Sequence, residues 1–293
     1  SGRWPVLGEA LLRFDWVTLS VMAVCMLKLK HPAWAGGLLT YAMLSRVFPA
    51  IFFFPYCMVM LRDILKTRTI PREHIRFVVG SAAVFIVVVG ATLIELGPDS
   101  FVETADNLSV HAQSYSSHRI GLGSALMYKG EKTPQEVSQH GGTVAKGKAI
   151  NAMKSRLFIL AFAIMGVIAV FIFRTKQPPD TLIMLSMIPL FCVTNLQSNY
   201  YNMRLLLAVG HASDLSKHRN KLGLILLFLV ETVTQYVMVE GFTRYIVTSS
   251  ASIAMTVYFC VMLLFLLYDI VRSWAAPEKE TRKAQLKPAR ARA

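Results

Sequence analysis

Apolar residues run along this chain in blocks too long for a water-soluble fold. Phe77–Leu96, Leu157–Phe173, Leu222–Val239 and Ala251–Val271 are almost unbroken by charge. Crossing a bilayer takes about 20 apolar residues, so these four blocks predict transmembrane helices. A further block, from about Gly8 to Leu29, carries Arg13 and Asp15 near its outer end. Two other stretches fit less simply. Ala35–Met60 lies between Lys28/Lys30 and Arg62/Lys66/Arg68, and Thr181–Gly210 between Arg174/Lys176 and Lys217/Arg219/Lys221. Short basic loops stay on the cytoplasmic side. Each stretch therefore leaves and returns on one side, although two full crossings need roughly 40 residues. The pattern predicts two broken, re-entrant hairpins. The first breaks at Ser45-Arg46-Val47-Phe48-Pro49, the second at the polar run from Thr194 to Asn202.

The fold class that follows is all-α: a polytopic transmembrane helical bundle with two broken hairpins and one large external loop. Residues 1–273 form the membrane domain, 97–156 the external loop within it, and 274–293 a basic cytoplasmic tail. The loop is acidic first (Asp99, Glu103, Asp106) and basic later (Lys146, Lys148, Lys154, Arg156). Composition agrees. Of 293 residues 54% are hydrophobic and 16% charged, with a mean hydropathy of +0.48, whereas soluble domains carry about 25% charge. The net charge of +14, from 31 Lys/Arg and 17 Asp/Glu, gathers in short loops and in the tail. That distribution points to a multi-pass protein of the cytoplasmic (inner) membrane, its tail beside anionic lipid, and not to nucleic acid. Cys25, Cys57, Cys192 and Cys260 lie far apart in apolar segments and read as small core residues, neither disulfides nor metal ligands. No cofactor is expected. The opening Ser1-Gly2-Arg3 suggests a processed chain or a piece of a longer one.

Candidate chemistry sits at the interruptions. A cation at membrane depth marks a working site or an ion pair, and an arginine fork suits a phosphate or carboxylate. Arg46 and Arg204 are therefore the candidate phosphate-binding residues. Arg46 could instead cap carbonyls freed by Pro49, and Arg204 could pair with Glu231. Asn195, Ser198, Asn199, Tyr200 and Tyr201 at the second tip offer amides, a hydroxyl and phenols suited to a sugar, or else form an interfacial aromatic belt. In the loop, Asn107, His111, Ser117, His118 and Arg119 could wall a polyhydroxyl ligand or simply order a surface. His111 and His118 alone lack the company of a zinc site. Both tips face the same way. Backbone can be irregular at membrane depth only where protein or a cavity satisfies it, so a shared outer cavity is expected.

Ala35-Gly36-Gly37 leading into Arg46-x-x-Pro49 resembles the integral-membrane glycosyltransferases of the GT-C class. The closest likeness is to the polyprenyl-phosphate-mannose-dependent mannosyltransferases of family 87, over roughly residues 20 to 240. Ser198 and Tyr201 match the family's second polar tip, while its Pro, Trp and first His are missing here; Ser116-Ser117-His118-Arg119 loosely matches its polar loop. The resemblance implies sugar transfer from a polyprenyl-phosphate donor on the outer face of the membrane, with Arg46 on the donor phosphate. The family's catalytic acid lies on a first external loop with no counterpart in this chain. The resemblance thus places the chain as the C-terminal part of such an enzyme, without that acid. Two other readings stay open: a non-catalytic scaffold or subunit of a larger membrane assembly, and a transporter or flippase of lipid-linked substrates.

Overall fold

The computed structural model describes residues 14–113, 119–175, 177–197, 202, 204–240 and 244–290. The protein is an all-α bundle, and among the described residues five helices are long and apolar enough to cross a membrane.

The chain opens with α1 (Asp15–Lys28) and α2 (Pro32–Ser45). α1 ends as Lys30 turns left-handed (φ 60°), and Pro32 starts α2, where a missing N–H costs nothing. The first break falls where expected. Arg46 is extended (φ −150°, ψ 124°), and a 3-10 turn, Phe48–Phe52, restarts the chain and runs straight into α3 (Phe53–Thr67). The two halves are unequal, however, and not both short. α2 has 14 residues, whereas Phe48–Thr67 has 20 and is long enough to cross alone. Proline explains this, because it is tolerated in a first turn and opens the second half instead of sitting inside a gap.

α4 (Arg72–Leu96) follows. It meets α2 backbone to backbone through glycines: a Cβ on Gly80 would stand 1.9 Å from the Ala33 carbonyl, and one on Gly36 2.2 Å from that of Phe77. The segment expected as a loop is largely helical. It contains α5 (Asp99–Gln113), β1 (Arg119–Ile120), α6 (Leu122–Leu126) and α7 (Pro134–Gln139), and then α8 runs from Gly142 to Arg174. α8 thus starts 15 residues ahead of the apolar run that begins at Leu157. The basic residues Lys146 to Arg156 are the first turns of a 33-residue helix, hidden from a hydropathy reading by their charge.

The second broken stretch is α9 (Pro179–Leu182), a 3-10 turn (Ile183–Ser186) and α10 (Met187–Val193), then β2 (Leu196–Gln197) and α11 (Arg204–Ala212). Pro189 cannot donate to the Leu185 carbonyl four residues back, which accounts for the tighter turn before α10. α12 (His218–Val239) and α13 (Arg244–Arg290) close the bundle, α13 continuing without interruption through the basic tail.

One end of the bundle is laced by cations. Arg62 donates to the Ile172 and Thr175 carbonyls at the end of α8, both at 3.3 Å. Lys28 donates to the Ser213 carbonyl after α11 at 3.1 Å. Lys217 reaches Gln177, Arg219 reaches Asp269, and Arg174 lies over the Trp274 ring. These contacts gather the ends of α1, α3, α8 and α11 with the starts of α9 and α12. Both broken stretches thus leave from and return to the same basic face.

Candidate functional site

Away from the basic face the first interruption packs against the second broken stretch. Arg46 is half-buried, its amide still bonded to the Ala42 carbonyl at 3.1 Å. Phe48 sets its ring edge-on to the fully buried Trp16, 4.6 Å between centroids. The turn Phe48–Phe52 packs against both Ile183–Ser186 and α10, so the irregular parts of the two stretches touch.

The second interruption is sewn to the loop. β1 pairs antiparallel with β2, Arg119 opposite Gln197 and Ile120 opposite Leu196. The Asn195 side-chain oxygen accepts from both the amide and the hydroxyl of Ser124, at 3.0 and 3.1 Å. Arg119 Nη1 donates to the Asn195 carbonyl at 3.2 Å, and the Gly121 amide donates to Ser252 Oγ on α13 at 3.4 Å. Gly121 is required there, since a Cβ would stand 2.2 Å from the Thr194 carbonyl.

The structure therefore brings Arg119 and Asn195 together and uses their polar atoms to dock the loop. Arg204 is paired with Glu231 across α11 and α12 at 2.6 Å, the partner its sequence setting allowed. Asn107 is exposed on α5. The side chain of His111, and all of Ser117, His118, Ser198, Asn199, Tyr200 and Tyr201, lie outside the described residues.

A third cluster was not legible in the sequence. Glu131, its side chain fully buried, accepts from Lys146 Nζ at 2.6 Å, from the Lys129 amide at 2.8 Å and from the Tyr245 hydroxyl at 3.2 Å. His140 lies 3.3 Å away, and Lys146 also donates to the Met127 carbonyl at 2.8 Å. Burial works against the Glu131 charge, but the bonds from Lys146, the Lys129 amide and His140 outweigh it and bring the carboxyl down to about 2. The cluster clamps the stretch between α6 and α7 onto α8 and α13. Only an isolated Glu in a polar loop and a Lys ahead of an apolar run announced it.

Two buried histidines lie toward the basic face. His74 stands 3.2 Å from both the Tyr56 hydroxyl and Asp63. His211 stands 2.6 Å from the Tyr258 hydroxyl and 3.4 Å from Asn220, and Gly223 leaves room for its ring. These tie neighbouring helices together by bonds that would cost about 1–3 kcal/mol each if left unmade.

The chain matches no protein-family model, no curated protein and no solved structure.

Proposed function

We propose that the protein binds a lipid-borne phosphate at the Arg46 break and serves sugar transfer from a polyprenyl-phosphate donor, as part of a membrane glycosyltransferase of the GT-C kind. The observation that carries this reading is the pair of interrupted membrane segments. They leave from one basic face and touch at their irregular turns, and one holds an arginine in extended backbone at its break. A break and a cation in the same place at membrane depth are costly for packing alone. Arg46 would grip the donor phosphate, and Arg119, Asn195 and the residues flanking β2 would frame the sugar. Arg204 would have to leave Glu231, 2.6 Å away, to take a phosphate.

The test uses a short-chain polyprenyl phosphate as probe and the purified full chain. Arg46→Ala should weaken binding by about 10- to 150-fold, the range of a charge-assisted hydrogen bond. Arg46→Lys should recover part of the loss, and thermal melting should stay close to wild type. Unchanged affinity in a folded Arg46→Ala protein would remove the phosphate role. Sugar transfer by the longest natural form of the protein then tests the reaction itself.

A further inference from the structure

α5 keeps most of its described side chains exposed. Every described side chain from Phe101 to Asn107 is exposed, including Phe101 at 41% and Val102 at 62%. An isolated helix of about 15 residues is marginal in water, even for strong helix formers, and α5 contains Val102, Thr104 and Asn107, which are not. Something must cover it.

Its position says what. The apolar run of α4, Phe77–Leu96, spans about 30 Å at 1.5 Å per residue, the thickness of a bilayer's hydrocarbon core. Its far end is exposed, with Ile94 at 89% and Leu96 at 64%, as lipid-facing side chains are. Gly97 then takes φ 74°, a conformation glycine adopts without strain, Pro98 follows, and α5 starts at Asp99. A helix that begins there begins at the membrane surface.

At about 100° per residue, Phe101, Val102 and Ala105 share one side of α5, while Asp99, Glu103 and Asp106 gather on another. No Lys or Arg occurs from Glu95 to Gln113. We infer that α5 is an interfacial helix, lying on the bilayer next to α4 with Phe101, Val102 and Ala105 sunk among the lipid and its acids held toward water. Interfacial helices usually carry basic polar faces that seek anionic lipid. This acidic one is suited to uncharged headgroups and holds to the surface by apolar contact alone.

Nitroxide labels on single cysteines decide it. Phe101→Cys, Val102→Cys, Glu103→Cys and Asp106→Cys are placed in the full chain, with Cys25, Cys57, Cys192 and Cys260 replaced by alanine, in phosphatidylcholine vesicles. The label at 101 should favour dissolved oxygen over a water-soluble nickel chelate by about threefold or more relative to that at 103, about 160° away around the helix, with those at 102 and 106, about 40° apart, falling between. Equal chelate access at all four positions would mean a solvated helix and overturn the inference. Shielding from both reagents at 101 and 102 would mean another protein covers that face, and would overturn it too. Exchanging half the lipid for phosphatidylglycerol should raise chelate access at 101; a fall there would overturn the assignment of uncharged headgroups.

Discussion

At the first interruption the chain leaves helix at Arg46 and restarts on Phe48 and Pro49. At the second, α10 ends at Val193 and α11 begins only at Arg204. The first is written into the covalent chain. Position 49 has no amide hydrogen to offer the Ser45 carbonyl, and its ring crowds that carbonyl, so running α2 through it would cost about 3 kcal/mol. Nothing in Thr194-Asn195-Leu196 forbids helix so firmly. What occupies the backbone there is the loop, through the β1–β2 pairing and Arg119, while Ser124 holds the Asn195 side chain. One break is local and the other is tertiary. A break favoured by proline is set within its own stretch, while one set by a docked loop answers to whatever holds that loop.

The hold is tightest at Glu131, so the largest expected effect lies there. Glu131→Gln leaves Lys146, only 5% exposed, without its counter-charge, and breaking a buried pair in this way costs about 3–5 kcal/mol. Hydrogen exchange should speed up from Ile120 to Lys129 and at Leu196–Gln197, and stay unchanged at Val47–Phe52. Acid should do the same to the wild type. The carboxyl is lowered from its ordinary 4.5 to about 2, so its contribution is complete above about pH 4.5 and drains away as pH falls towards 2. If exchange at the two breaks rises together in either experiment, they are not independently set.

Pro49→Ala probes the other side of the comparison. It removes a constraint worth about 3 kcal/mol against continuous helix. Amides at Val47–Ile51 should become slower to exchange as α2 extends towards α3, while Leu196–Gln197 keeps its wild-type rate. No slowing would mean that packing of Phe48 on Trp16, and not the proline, holds the first break open.

The same division decides what could be read from residues alone. Pro49 acts on its neighbours in sequence, so the first break was legible to the residue, as were the long apolar runs and the basic residues flanking both stretches. The unequal halves were not, because a proline marks a break without showing which half it opens. The extent of α8 was missed for a related reason. Lys146 is buried against Glu131 and Tyr245, partners 15 and 99 residues away, and a charge whose partner is distant looks like a charge in a loop. Arg204 with Glu231 could be suspected because both sit in otherwise apolar helices. Asn195 was singled out as a polar residue at a membrane tip, but its sequence could not show that its side-chain oxygen was already taken by Ser124.

That oxygen gives the smallest and most local way to sharpen the comparison. Ser124 is 3% exposed, and Asn195→Ala takes the acceptor from both its amide and its hydroxyl. A buried donor left unmade costs about 1–3 kcal/mol, and Ser124 can turn its hydroxyl elsewhere while its amide cannot, so the loss should sit at the low end of that range. The methyl group meets no clash, because Gly121 and Gly123 leave their space on the loop side. Exchange should therefore accelerate at Ser124 and at Leu196–Gln197, with little change at Lys129–Glu131, where the clamp on α8 is intact. If the Asn195→Ala protein instead loosens the loop as far as the Glu131 clamp, the loop moves as one body and the bridge at Asn195 is what seats it. If nothing changes, the second interruption is held by the β1–β2 pairing and the Arg119 bond to the backbone carbonyl at 195.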